Sequence, residues 1–123
     1  MSPLRVLILD DRPTVAGALR DLAAGLGHRA ASASTLEDAH AHDPLEFDVL
    51  LCHLNLEGQP GVQILSWARE RNPRIALGLM TGEARPDPAT PRWVGAESPP
   101  LLFKPISRRV LSAFLAECAP DAS

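Results

Sequence analysis

Apolar runs that stop abruptly on polar residues constrain this chain more than any other feature. Val49-Leu50-Leu51-Cys52 sets four apolar residues in a row between Asp48 and His53. An unbroken run of that length fits a strand covered on both faces, where a half-exposed strand would alternate. The turn-rich Asn55-Leu56-Glu57-Gly58-Gln59-Pro60-Gly61 follows it. Three further runs have the same form. Arg5-Val6-Leu7-Ile8-Leu9 stops at Asp10-Asp11, Ile75 to Met80 stops at Thr81-Gly82, and Leu101-Leu102-Phe103 stops at Lys104-Pro105. A fifth stretch, His28 to Ala33, reads as a weaker strand of small residues.

Helical signals fill the gaps. Pro13 suits a first turn, where its missing N–H costs nothing. Val15, Leu19, Leu22, Ala23 and Leu26 then recur at helical spacing up to Gly27, a good left-handed terminator. Ser34 and Glu37 have the spacing of a capping box for a short helix to about His42, which Pro44 ends. Another helix opens near Pro60, turns Val62, Leu65 and Ala68 inward, and breaks at Asn72-Pro73. Ser107 caps a last helix with an apolar stripe of Val110, Leu111, Phe114, Leu115 and Cys118. Alternation of this kind predicts an α/β fold: a parallel sheet with right-handed crossovers and helices on both faces.

At 123 residues the chain buries a core as one domain, read as 1–118 with 119–123 a tail or the start of a linker. The Met1 start suits a stand-alone protein or the N-terminal part of a larger regulator. A net charge of −3 gives no general attraction to nucleic acid or anionic membrane, and no stretch is apolar enough for a membrane span. Cys52 and Cys118 read as reduced core thiols of a cytoplasmic protein. Five of the twelve prolines fall between Pro86 and Pro100. They leave room for a turn or two of helix around Ala89 to Val94, so the fourth helix is predicted to be short or irregular.

In a doubly wound sheet the strand ends share one edge, which gathers Asp10, Asp11, His53, Thr81 and Lys104. Paired carboxylates favour a hard cation such as Mg²⁺. A hydroxyl and an ammonium at the rim suit the oxygens of a phosphoryl group.

This arrangement resembles the receiver domain of bacterial response regulators, over nearly the whole chain. Val6 to Asp11 looks like the first receiver strand with its acidic pair. Asp48 to Leu56, with Gly58 and Gly61, looks like the third strand and its loop. Met80-Thr81-Gly82 matches the strand-four hydroxyl, and Lys104-Pro105 the lysine-proline step. The resemblance implies a (βα)5 flavodoxin-like three-layer sandwich with sheet order 2-1-3-4-5. It implies no enzyme but a signalling module whose partner is a histidine kinase, an output domain or a second copy, with no nucleic acid or membrane bound by this domain.

The sequence departs from the receiver pattern at the position of the phosphoacceptor aspartate, which here is His53. Asp48 is no substitute, since it begins the strand. The aromatic switch position is Leu101, and the proline of the loop is Glu57. These departures point to an atypical receiver that is not phosphorylated at the usual position. With one carboxylate missing, Asp10 and Asp11 bind Mg²⁺ weakly at best, and no cofactor is expected. An imidazole beside two carboxylates also suits Zn, Mn or Fe, so the alternative is a metal- or phosphate-responsive sensor with His53 as ligand or unusual phosphoacceptor. The favoured arrangement has His53 held by Asp10 or Asp11 and Lys104 paired to the other carboxylate. Trp93, Pro99, Pro100 and Val110 are the interface candidates. Trp67 is expected half-buried, and His40 and His42 on the surface without ligand partners.

Overall fold

The computed structural model describes residues 3–82 and 99–118. The trace begins with β1 (Arg5–Leu9), α1 (Pro13–Gly25), β2 (Arg29–Ala33) and α2 (Leu36–Ala41). A 3-10 turn over Pro44–Glu46 leads into β3 (Val49–His53). Next come β4 (Asn55–Leu56), β5 (Gln59–Pro60) and α3 (Gly61–Arg71), then β6 (Ala76–Thr81), β7 (Leu101–Phe103) and α4 (Arg108–Cys118).

The five long strands form one parallel sheet in the order β2-β1-β3-β6-β7, which is 2-1-3-4-5 when the main strands are counted along the chain. The expected fold is therefore present. The predicted short fourth helix, and Trp93 with it, lie outside the described residues. Unbroken apolar runs produce this sheet because both of its faces are covered. Leu7, Leu9, Leu50 and Cys52 pack with Val62, Ile64 and Leu65 of α3 on one side. Val6, Ile8, Val49 and Leu51 pack with Leu19 of α1 and Leu111, Phe114 and Leu115 of α4 on the other. Each fully buried side chain of this size contributes about 2 kcal/mol.

Local chemistry sets the ends of the elements. Pro13 is the first residue of α1, and Gly27 takes the left-handed φ of +97° just past its end. Ser107 caps α4, its Oγ accepting the Val110 N–H at 3.1 Å. The α2 cap is a correction: Thr35, not Ser34, is the N-cap, and its Oγ1 accepts the Asp38 N–H at 3.0 Å. Nor does Pro44 end α2, which stops at Ala41; Pro44 opens the 3-10 turn. The loop after His53 is more ordered than its turn residues suggested. It folds into the small antiparallel pair β4–β5, turned by Glu57 (φ +50°) and Gly58 (φ +85°).

Candidate functional site

Register places the polar strand ends together. Leu9 pairs with Cys52, His53 with Met80, and Thr81 with Phe103. Asp10, His53, Thr81 and Lys104 therefore emerge at neighbouring heights along the C-terminal edge of β1, β3, β6 and β7. The chain also holds this edge by backbone bonds, from Lys104 N–H to Thr81 O at 2.7 Å and from Leu54 N–H to Met80 O at 2.7 Å. The Lys104–Pro105 peptide is cis.

Asp10 is fully buried and both of its oxygens are engaged. Oδ1 accepts the Arg12 N–H at 2.9 Å, and Oδ2 pairs with Lys104 Nζ. The Lys104 side chain is 13% exposed, so this is a nearly buried ion pair. Its charges neutralise each other where either alone would be costly. Asp11, one residue on, is exposed and makes no ion pair among the described residues. Thr81 is buried beside them.

His53 differs from its expected place. It is half-buried and bonded to neither carboxylate. Its Nδ1 lies 2.7 Å from the Asn55 carbonyl, and a carbonyl only accepts, so Nδ1 carries the proton and donates. The Asn55 N–H is 3.4 Å from the same nitrogen, too long to reverse that assignment. The physical reason is reach: the β4–β5 turn brings a carbonyl two residues away back over the ring, which satisfies it locally. Lys104 has taken the carboxylate, as expected, but it has taken Asp10 and left the other to solvent.

Two loop residues, Glu57 and Asn55, complete the edge in roles that the sequence pattern did not give them. The Glu57 side chain accepts the Leu36 N–H at 2.5 Å and so ties the β4–β5 turn to the start of α2. Asn55 holds His53 through its backbone, which no side-chain pattern reveals. Beneath the edge, the buried Cys52 thiol donates to the His53 carbonyl at 3.2 Å. Burial first, then the negative charges of Asp10 and Asp11, push its pKa far above the ordinary thiol range. Cys52 is a core group and not a nucleophile.

Mg²⁺ needs several free oxygen ligands in near-octahedral array. With Asp10 doubly engaged, Asp11 pointing to solvent and an imidazole at the third position, the edge does not fit that ion. No group of three or more His, Cys, Asp or Glu residues is arranged for a metal among the described residues.

The remaining candidates separate. Leu101 on β7 is half-buried against the α3-side core. Pro99 and Pro100 line a cavity of about 300 Å³ with Phe114, Glu117 and Cys118 from the second half of α4. Val110 is 41% exposed in the first turn of that helix. His42 donates from Nδ1 to the Asp38 carbonyl at 2.8 Å, and the His40 ring meets half-buried Trp67 edge-on at 4.7 Å. At the far end of the sheet Asp48 pairs with Arg5 at 3.1 Å, remote from Asp10.

Residues 6–116 match the response regulator receiver domain family. No curated protein sequence matches the chain. Among solved structures, a CheY-like receiver domain protein from Methanospirillum hungatei JF-1 is 22% identical with a TM-score of 0.76, over 94% of this chain and 93% of that one. A CheY-like receiver domain from Methylobacillus flagellatus is also 22% identical at a TM-score of 0.76, over 96% and 100%. The anti-anti-sigma factor PhyR from Bartonella quintana is 18% identical with a TM-score of 0.72, and 96% of this chain covers 48% of that protein. At these identities the structures share the fold.

Proposed function

The chain belongs to the response regulator receiver domain family, and we propose that within it the domain is an atypical receiver, not phosphorylated at the usual position, that signals by protein–protein contact. The observation that carries this reading is the Lys104–Asp10 pair beside a His53 turned onto its own loop. In the receiver pattern an aspartate stands where His53 does, and it both accepts the phosphoryl group and completes the cation site. Here the carboxylate is absent, its lysine is neutralised elsewhere, and the switch position holds aliphatic Leu101.

The domain is proposed to be cytoplasmic and non-enzymatic, needing no cofactor. Its partner is a kinase, an output domain or a second copy. PhyR, named as an anti-anti-sigma factor, is a precedent for a protein of this fold working on other proteins. None of the described helices is long and apolar enough to cross a membrane.

One observation favours a second reading. With Nδ1–H committed to Asn55, the neutral His53 ring carries its lone pair on Nε2, the form that ligates metals or accepts a phosphoryl group. The same experiment separates the two. Incubation with acetyl phosphate and Mg²⁺ is expected to leave the mass unchanged, and His53→Asp to gain Mg²⁺ binding in the millimolar range. Stoichiometric phosphorylation of the native chain refutes the first reading, and an adduct mapped to His53 establishes the second.

A further inference from the structure

We propose that the groove between the C-terminal ends of α2 and α3 is a docking site for an acidic segment of a protein partner, with Arg71 over Trp67 as its anchor. The groove encloses about 580 Å³ and is lined by His40, His42, Asp43, Pro44, Trp67 and Arg71. The return helices of a parallel sheet end at the edge where the strands begin. This site therefore lies opposite Asp10, His53 and Lys104, and does not depend on how that edge is read.

Three features point to an anionic partner. The Arg71 guanidinium sits 5.2 Å from the centre of the Trp67 ring and has no carboxylate partner among the described residues. A guanidinium holds its N–H donors in its own plane as a rigid fork, so one that sits over an aromatic ring can still give two of them to a carboxylate. The groove's own carboxylate, Asp43, turns back to accept the Leu45 N–H at 3.0 Å and does not reach Arg71.

The walls are already fixed. Asn72 Nδ2 donates to the Pro44 and Phe47 carbonyls, each at 3.0 Å, which locks the 3-10 turn to the end of α3. His40 braces α2 on Trp67, and Glu57 pins the other end of α2. A rigid groove loses little freedom on binding. Trp and Arg together are also the residue types that dominate interface energies. Nucleic acid is the weaker match, because it requires a stripe of Lys and Arg, whereas this chain is net negative and, among the described residues, Arg71 is the Lys or Arg that lines the groove.

The test is a calorimetric titration of the full chain with a synthetic Glu/Asp-rich peptide, a Gln/Asn-rich peptide of equal length and a single-stranded oligonucleotide. Backbone amide shifts locate any binding. The acidic peptide is expected to bind, to shift His40–Asp43 and Trp67–Arg71, and to weaken as salt is raised. Arg71→Gln, an exposed change that leaves the fold intact, is expected to reduce affinity about tenfold, the worth of one charge-assisted hydrogen bond. The proposal is overturned if the acidic peptide does not bind, if the Gln/Asn peptide or the oligonucleotide binds as well or better, or if Arg71→Gln binds undiminished.

Discussion

Asp10 accepts two hydrogen bonds from inside the fold, and the second comes from a side chain that begins 94 residues away. An aspartate with no solvent exposure is tolerable only while that ammonium is present. Lys104→Met removes the positive charge and leaves the carboxylate desolvated and uncompensated. Breaking a buried pair in this way costs about 3–5 kcal/mol, whereas replacing both partners with apolar groups of similar volume is close to neutral. We therefore expect Lys104→Met alone to lower the free energy of unfolding by about 3 kcal/mol, and Asp10→Asn with Lys104→Met to recover part of it, since the charge is gone but the buried Asn Nδ2 has lost the partner that Oδ2 had. Urea titration of the three variants measures this. A single-variant loss below about 1 kcal/mol would mean that the pair does not carry the charge balance of the edge.

The helices are placed by contacts as close as those of the site. Gly61 opens α3 directly beneath His53, and its N–H donates to the Leu54 carbonyl at 2.8 Å. A Cβ at this position would stand 2.5 Å from the His53 carbonyl oxygen and 3.0 Å from Leu79 Cδ2. Alanine is the better helix former by up to about 1 kcal/mol, less in a first turn. The oxygen it meets belongs to the backbone and cannot rotate away, so the clash wins. Gly61→Ala is expected to destabilise by about 1–3 kcal/mol and to shift the His53 and Asn55 amide resonances as α3 is pushed outward. A variant more stable than the parent, with those resonances unmoved, would contradict this close approach.

Elements of this kind differ in how plainly the sequence announces them. The parallel strands were legible because burial on both faces makes their apolar runs continuous. The α2 cap was ambiguous for a definite reason. Ser34 precedes Glu37 by three residues and Thr35 precedes Asp38 by three, so two overlapping patterns compete, and the end of β2 selects the second. The β4–β5 pair has two residues per strand and no periodicity to read. Convergence of Asp10, Thr81 and Lys104 followed from strand ends alone. The partner of His53 did not, because a carbonyl two residues away is a property of backbone turning.

At the scale of the molecule the sheet has two unlike edges. The C-terminal edge is closed by a buried pair and a self-satisfied imidazole. The N-terminal edge carries the α2–α3 groove, and β1 and β3 are clasped there by Arg5 and Asp48. Asp48 Oδ2 accepts from the Arg5 backbone N–H at 2.8 Å and from Nε at 3.3 Å, while Nη2 reaches Oδ1 at 3.1 Å. The Arg5 side-chain hydrogen bond is the main cause that holds the Asp48 carboxyl below its usual pKa. A carboxyl with a lowered folded pKa contributes stability that is fully present above its unfolded value and is lost as pH falls through the folded one. The side chains are 45% and 36% exposed, so solvent screening limits the contribution to about 0.5 kcal/mol. Asp48→Asn keeps one oxygen for the Arg5 backbone N–H and Nε, and removes the charge together with the acceptor that Nη2 uses. We expect it to be less stable than the parent by about 0.5 kcal/mol at neutral pH, with the gap narrowing as pH falls through the lowered folded pKa of Asp48 and the carboxyl itself becomes neutral. Raising the salt at neutral pH is expected to narrow the gap as well. Urea midpoints of the two proteins across this range decide the matter. A gap that persists undiminished in acid would show that the clasp acts through shape and hydrogen bonding, with its charge contributing nothing.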